Sequence, residues 1–282
     1  MVKKWKKYST GLELVLCSCE RELLCVLTDD EELVFSFVWA LQDRASELLA
    51  PTLKQMFDLS GHSFSELRRI GCVRGPGSFT GIRLVLATAA ALRRTTRAQL
   101  AALDYMQALA TSLAMNEQLL FGRKIWIATH ARRDLVHLAG YVSYGPVIPA
   151  ICLEPVHLIS PEGACEKLQA SLENETEQVL LAGSALARHK ELFEKFEAST
   201  QGRLATRTLA TPTIDALRLL GRHGDYFPKD VEPLYIRPCD AVDNLPELSR
   251  RMGQDADRAT AELDRLLHSE VRDLNEERHT EE

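Results

Sequence analysis

A glycine-rich stretch at residues 75–83, Gly-Pro-Gly-Ser-Phe-Thr-Gly-Ile-Arg, constrains the fold of this chain more than any other part of its sequence. Glycine tolerates backbone conformations that other residues avoid, and proline fixes its own φ angle, so the stretch predicts a sharp turn. The apolar run 67–73 before it predicts a buried strand, and apolar residues at helical spacing follow it. The local order is therefore strand, turn and helix.

A strand-turn-helix junction directs free backbone N–H groups toward the turn, where a phosphate or carboxylate can bind. A tight connection without any ligand would have the same pattern, and the residue types leave both interpretations open. Two nucleotide motifs do not fit, because a P-loop needs Lys after its last glycine and a dinucleotide fingerprint needs G-x-G-x-x-G. The candidate residues for a structural turn or a phosphate contact are Gly75, Pro76, Gly77, Ser78, Phe79, Thr80, Gly81 and Arg83.

Composition and charge are those of an ordinary globular chain, with 45% hydrophobic and 26% charged residues in 282. The formal net charge of the chain is −6. Residues 246–282 contribute most of this charge, because they contain eleven acidic and six basic residues. The body is therefore nearly neutral, which argues against a broad surface for non-specific nucleic-acid binding.

The seven cysteines are an odd number, and several lie in apolar runs, which predicts reduced thiols and a cytoplasmic protein. Neither paired CxxC motifs nor HExxH occurs, so we expect no metal site. The basic start is followed by an apolar run too short for a signal peptide. We therefore expect neither a signal peptide nor a membrane segment.

Apolar periodicity predicts an alternating order of strands and helices. The strands are expected at 12–19, 23–28 and 33–39 as an antiparallel meander, then at 67–73, 124–129, 135–142 and 179–182. The helices are expected at 43–58 with a kink or break at Pro51, then at 81–97, 104–115, from 161, 187–198 and 213–222. An extended segment at 231–238 and a charged amphipathic or frayed tail complete the chain. The two strand-rich halves hint at a structural duplication.

The stretch 75–83, preceded by Ile-Gly-Cys-Val-Arg at 70–74, resembles the signature of the TsaB (YeaZ) family. That family consists of non-catalytic partners in the synthesis of threonylcarbamoyladenosine in bacterial tRNA. Further matches follow in the family's order at 44–51, 131–133, 181–184 and 233–237. The resemblance extends over roughly residues 12–240, and the tail lies outside it.

The resemblance implies an α/β protein with an actin-like (ASKHA) fold of two ribonuclease-H-like lobes. We expect lobes at residues 1–115 and 116–244 and a charged tail at 245–282. It also implies an accessory subunit without catalytic residues, which pairs with a TsaD-like catalytic subunit that modifies adenosine 37 of tRNA. A TsaE-like ATPase would join the complex, tRNA would be contacted indirectly, and ATP or ADP would lie at the partner interface. Alone, the chain would carry no cofactor and could form a homodimer.

Helices of the first lobe would form the partner interface according to the resemblance. Its candidate residues are Leu48, Leu49, Leu53, Met56, Val85, Thr88, Ala89 and Leu92. The same apolar stripes are also expected to supply the core, so a purely internal role stays open for each residue.

Three departures from the family pattern leave other functions open. The first predicted strand ends in Cys17-Ser18-Cys19 where family members usually have Asp-Thr-Ser, and Ala45 and His130 replace a usual His and Asp. An independent actin-like ATPase or small-metabolite phosphotransferase would need a carboxylate near the first strand, which Cys17 does not supply. A homodimeric or regulatory remnant that has lost its partner is the third interpretation.

Overall fold

The protein is described from a computed structural model of the 282-residue chain. The structure describes residues 11–40, 44–132, 134–173, 175–236, 249, 250, 255, 257 and 258. The chain divides into two compact units, residues 1–236 and residues 237–282. The predicted tail helix falls almost entirely outside the described residues, which show helix at 249–250 and 257–258.

The first sheet has five strands in the spatial order β3-β2-β1-β4-β5. They are β1 (Leu12–Cys17), β2 (Glu22–Asp29), β3 (Glu32–Ala40), β4 (Leu67–Val73) and β5 (Gln99–Leu103). Strands β1, β2 and β3 pair antiparallel, whereas β4 and β5 add in parallel beside β1. The connections after β1 and β2 are too short for parallel crossovers, so the predicted meander is confirmed.

The second sheet repeats this arrangement, in the spatial order β10-β9-β6-β7-β8. Its strands are β6 (Phe121–Arg132), β7 (Leu135–Tyr144), β8 (Ile151–Ile159), β9 (Val179–Ala182) and β10 (Leu204–Arg207). The first three strands are again antiparallel, and the last two again add in parallel beside the first. The hint of duplication in the sequence is therefore a real repeat of topology.

Seven helices pack on these sheets within the described residues. They are α1 (Ala45–Ser60), α2 (Phe79–Thr96), α3 (Tyr105–Asn116), α4 (Pro161–Leu172), α5 (Ser184–Arg188), α6 (Lys190–Ser199) and α7 (Ile214–Arg222). The outer face of the first sheet is covered by α1 and α2, and that of the second sheet by α4 and α6. The helices α3 and α7 lie in the core between the sheets, which buries one face of β1, while the other face of β1 is buried beneath α1 and α2.

Each sheet with its helices is a ribonuclease-H-like lobe, and two such lobes make an actin-like (ASKHA) fold. The predicted fold class is confirmed. We call the first sheet with α1 and α2 the first lobe, and the second sheet with α4, α5 and α6 the second lobe. The domain boundaries at 115 and 244 stay predictions. Among the described residues, no helix has the length and apolar content needed to span a membrane.

Three strands were not predicted, each for a physical reason. Strand β5 is short and rich in alanine, which resembles the flanking helices in composition. Strand β8 contains Pro155, and it tolerates this residue because it lies at the edge of its sheet. Strand β10 has only 4 residues, so it offers almost no periodicity.

Two helix predictions need correction. Helix α1 runs unbroken from Ala45 to Ser60 through Pro51, so the predicted break is absent. Pro51 is exposed, so water can hydrate the carbonyl group that loses its hydrogen bond. The single helix expected at 187–198 is two helices, because the backbone leaves the helical conformation at His189, between α5 and α6.

Candidate functional site at the glycine turn and the lobe junction

The glycine turn connects β4 to α2 and packs directly against the end of β1. The backbone N–H of Ser78 donates to the carbonyl oxygen of Cys19 at 2.6 Å. The Ser78 hydroxyl caps α2 by accepting from the N–H of Gly81 at 3.3 Å. Two donors at the start of this helix are therefore bound by the chain itself.

Gly77 and Gly81 are required by close backbone approach. A Cβ atom on Gly77 would overlap the carbonyl oxygen of Cys19, and one on Gly81 would overlap that of Ser18. Only glycine lets the turn cross the end of β1 at this distance. The sequence predicted a sharp turn here, and the structure adds that β1 is the element it must clear.

Two further hydrogen bonds tie the turn to later parts of the chain. The N–H of Tyr105, the first residue of α3, donates to the carbonyl of Gly75 at 2.9 Å. The N–H of Leu234 donates to the carbonyl of Arg74, also at 2.9 Å. The turn is thus a junction where β1, β4, α2 and α3 meet residues near position 234.

Phe79 and Arg83 form an aromatic and cationic cluster with Tyr235. The rings of Phe79 and Tyr235 are stacked with centroids 5.2 Å apart. The Arg83 guanidinium lies 3.7 Å from the Phe79 ring centre, and its Nε donates to the Tyr235 hydroxyl at 3.0 Å. Two separate stretches that carry the family resemblance, 75–83 and 233–237, are therefore in contact.

Glu20 is a candidate functional residue that the sequence analysis missed. It follows β1, and its Oε1 accepts a hydrogen bond from the Ser184 hydroxyl at 2.6 Å. Burial raises the pKa of Glu20 from 4.5 to about 7, although hydrogen bonds from Ser184 and Tyr105 act in the opposite direction. The carboxyl group therefore joins the first lobe to the second. Its sequence context, Glu-Arg-Glu in a short turn, resembles an ordinary exposed hairpin.

His130, one of the departures from the family pattern, reaches the same place. Its backbone N–H donates to the Ser184 hydroxyl oxygen at 2.9 Å. Burial lowers the pKa of the His130 side chain, with smaller contributions from Arg188, His189 and Arg21. Ser184 therefore bridges the end of β6 and the end of β1.

The other two departures lie in apolar surroundings. The Cys17 side chain is fully buried in the core between the sheets, beside Cys19. Ala45 is buried at the start of α1. Within the described residues, no group of three or more His, Cys, Asp and Glu side chains could hold a metal ion.

The eight predicted interface residues divide into two groups. Five have buried side chains in the core beneath α1 and α2, namely Leu49, Leu53, Met56, Val85 and Ala89. This corrects their assignment to the surface, because a partner could touch them only if the helices moved. Leu48, Thr88 and Leu92 are half-buried, and for these three the interface stays a prediction.

A second buried carboxyl group, that of Glu13, lies at the opposite end of β1. It lines a cleft of about 390 Å³ together with Arg69 and Arg218. Burial raises the pKa of Glu13 from 4.5 to about 7, whereas a hydrogen bond with Tyr226 and the nearby Arg69 charge lower it. The first strand of this lobe therefore carries a protonatable acid near each end.

The duplicated lobes, with their turns meeting at the ends of β1 and β6, define an actin-like protein. The sequence matches the family described as TsaD: tRNA N6-adenosine threonylcarbamoyltransferase over residues 41–224, so the chain belongs to this family. That membership confirms the family-level resemblance and supports a place in threonylcarbamoyl modification of tRNA. No curated protein sequence matches the chain.

Two solved structures from Pseudomonas aeruginosa share the fold. The first is an uncharacterized protein with similarity to peptidase YeaZ, with 18% identity and a TM-score of 0.61. The match covers 81% of this chain and 100% of that protein. The second is YeaZ, with 18% identity and a TM-score of 0.59. The match covers 80% of this chain and 100% of that protein.

Proposed function

We propose that this chain is a non-catalytic, TsaB-like partner of a TsaD-like subunit in the threonylcarbamoyl modification of adenosine 37 in tRNA. The observation that carries the proposal is the internal use of the glycine turn. The N–H of Ser78 donates to the carbonyl of Cys19 just after β1, and the missing side chains at Gly77 and Gly81 let the turn pack against this part of the chain. The turn thus supports a scaffold role better than a phosphate cradle.

The end of β1 also supports a non-catalytic role. Cys17 is buried, and burial together with its Cys17 neighbour raises the pKa of the Cys19 thiol. The Cys19 thiol is therefore not poised as a thiolate. The carboxyl group of Glu20 is engaged with Ser184. In this proposal ATP or ADP lies at the interface with the partner, and a TsaE-like ATPase and tRNA join the cytoplasmic complex.

The outward side of α1 and α2 is the surface proposed for the TsaD-like subunit. Ala50 on α1 and Ala87 and Ala91 on α2 are exposed, beside the half-buried Leu48 and Thr88. Small side chains allow a partner helix to approach closely, and their burial would remove apolar surface from water. This surface replaces the buried residues of the sequence-based interface.

Nucleoside analysis of total tRNA is the direct test. Depletion of the chain in its own organism should lower N6-threonylcarbamoyladenosine, because the TsaD-like subunit would lack its partner. Restoring the wild-type chain should restore the nucleoside. An unchanged level during depletion would contradict the proposal.

Co-purification with the TsaD-like subunit of the same organism tests the surface. The double variant Ala87→Glu and Ala91→Glu should abolish the complex by placing two charges at the centre of the interface. The matched control is Ala170→Glu, at an exposed position on α4. Equal recovery of partner with both variants would exclude this surface.

Glu20 gives a specific reason to keep the second candidate, an independent ATPase or phosphotransferase. It supplies a carboxyl group near the end of the first strand. This is the group that an ATPase or phosphotransferase would need and that Cys17 does not provide. A pKa of about 7 suits a general base near neutral pH. Turnover of Mg-ATP by the isolated chain, lost in Glu20→Gln, would favour this function over the scaffold.

A further inference from the structure

The segment of residues 227–236, here called the closing segment, lies along one flank of α2. At its start, the backbone of Phe227 exchanges two hydrogen bonds of 2.9 Å with that of Leu100 at the edge of the first sheet. Near its end, Leu234 bonds to Arg74 and Tyr235 contacts Phe79. The segment therefore runs from the C-terminal end of α2 to its N-terminal end.

Three arginines of α2 anchor the segment. Asp230 accepts from Arg93 Nε and from an Arg94 terminal nitrogen, each at 2.9 Å. Arg93 also donates to the carbonyl of Pro228 at 3.1 Å. At the other end, Arg83 donates to the Tyr235 hydroxyl at 3.0 Å.

The two elements match in length. Helix α2 has 18 residues, and at a rise of about 1.5 Å per residue it spans about 27 Å. Eight extended residues, from 228 to 235, span at most about 28 Å. From Phe79 to Arg93 the helix rises by only about 21 Å, so the segment reaches between these two residues without being fully extended.

The contacts that hold the segment are mainly polar, and most of their side chains are exposed, with Arg93 the least so at 24%. The side chains of Arg94 and Asp230 are 62% and 42% exposed, and Phe227 is 58% exposed. Val231 is only partly buried where it packs on the core. Exposed ion pairs stabilise little and are screened by salt, so the segment should open locally without unfolding of the sheet.

We propose that the closing segment is a displaceable cover on α2, held by Arg83, Arg93 and Arg94, which opens before a partner packs against this flank. The inference rests on the proposed function only for the identity of the partner, a TsaD-like subunit. The opening itself is a property of the free chain. The three arginines thus bind the closing segment of their own chain. The flank of α2 that this segment covers becomes available to a partner when the segment opens.

Hydrogen exchange of the free full-length chain tests the opening. Asp230→Asn should speed exchange of the Leu234 N–H about tenfold and leave the amides of β1 unchanged, because only local opening is eased. Tyr235→Ala, which releases the other end, should have the same local effect. Glu232→Gln is the matched control, since Glu232 forms no ion pair with any described residue.

Salt should also speed exchange at Leu234 in the wild-type chain and less in Asp230→Asn, because the variant has lost the ion pairs. Equal exchange in Asp230→Asn and Glu232→Gln, with no salt effect, would overturn the proposal. So would an acceleration that extends equally to β1, which would indicate global destabilisation.

Binding to the TsaD-like subunit separates this inference from the proposed function. Asp230→Asn should bind several-fold more tightly than wild type, because less of the binding free energy is spent on opening. Weaker binding would overturn the cover and would place the segment in the partner surface. If no variant binds, the proposed function fails, and the exchange measurements alone decide whether the segment opens.

Discussion

The two lobes share one topology but use the turn after their fourth strand differently. In the first lobe this turn leads from β4 into α2, which has 18 residues, and in the second it leads from β9 into α5, which has 5. In both lobes a glycine lets the chain pass close to the backbone of the first strand or of the residue that follows it. Gly81 meets the backbone of Ser18, and Gly183 meets the backbone of Ala128 in β6.

A serine in each of the two turns shows the difference. Ser78 binds within its own lobe, to Cys19 and Gly81. Ser184 accepts from His130 in its own lobe but donates to Glu20 in the other. The comparison teaches that one turn closes a lobe internally, whereas its counterpart links the two lobes.

The largest effect should come from the glycines that both lobes share. Gly81→Ala and Gly183→Ala should each destabilise the fold by at least about 3 kcal/mol, because the added Cβ overlaps backbone that cannot rotate away. Gly202→Ala is the control for Gly183→Ala, since Gly202 shares the positive φ of Gly183 but has no atom within 4 Å of the added Cβ. Urea unfolding measures all three, and a loss for Gly202→Ala as large as that for Gly183→Ala would show that backbone strain alone is responsible at Gly183.

The next effect concerns the acid that joins the lobes. The folded-state pKa of Glu20 is raised from 4.5 to about 7, so the folded state binds the proton more tightly and stability falls as pH rises between these values. Glu20→Gln should match wild type near pH 5 and exceed its stability at pH 8 by up to about 3 kcal/mol.

Urea unfolding at pH 5 and pH 8 checks this dependence. Part of the pH dependence of stability should remain in the Glu20→Gln variant, because the pKa of Glu13 is also raised to about 7. Identical pH profiles for wild type and Glu20→Gln would show that the carboxyl group is not held in the buried link.

Ser184→Ala should remove the link between the lobes at a cost of about 1–3 kcal/mol, because it leaves the His130 N–H and the Glu20 carboxyl group without this partner. Thermal unfolding of the variant measures the loss. Ser171→Ala, which removes a hydroxyl bonded within its own helix to Leu168, serves as the control. Equal losses would argue against a special role for the link.

Ser78→Ala should have the smallest effect, about 1 kcal/mol, because it removes the helix cap but keeps the backbone bond to Cys19. Its cost should not depend on pH, in contrast to that of Ser184→Ala. Chemical unfolding at pH 5 and pH 8 compares the two variants. A pH-dependent loss for Ser78→Ala would break the distinction between the internal and the linking turn.

The parts predicted correctly are those that local chemistry determines. Apolar runs with turns of a few residues between them can only form hairpins, which gave the first meander. Strand β9 and the Ser160 cap of α4 were found from an apolar run and from a serine before proline. Strands β5, β8 and β10 were missed because a short or proline-containing strand is stabilised by its neighbours in the sheet rather than by its own pattern.

The site was predicted less completely than the fold. The stripes that contain Leu53 and Val85 are apolar whether they face a partner or the core, and periodicity alone does not distinguish these faces. Glu20 looks like a turn residue until Ser184, 164 positions later, is placed beside it.

The sequence by itself determined the strand-turn-helix junction at 75–83, the order of most elements and the family, because these depend on residue types close together in the chain. Only the tertiary structure decided that the junction crosses the end of β1, that Tyr235 returns to Phe79 and Arg83, and that Glu20 joins the lobes. These contacts join residues far apart in sequence, and their energies depend on burial and distance, which arise only when the two sheets pack together.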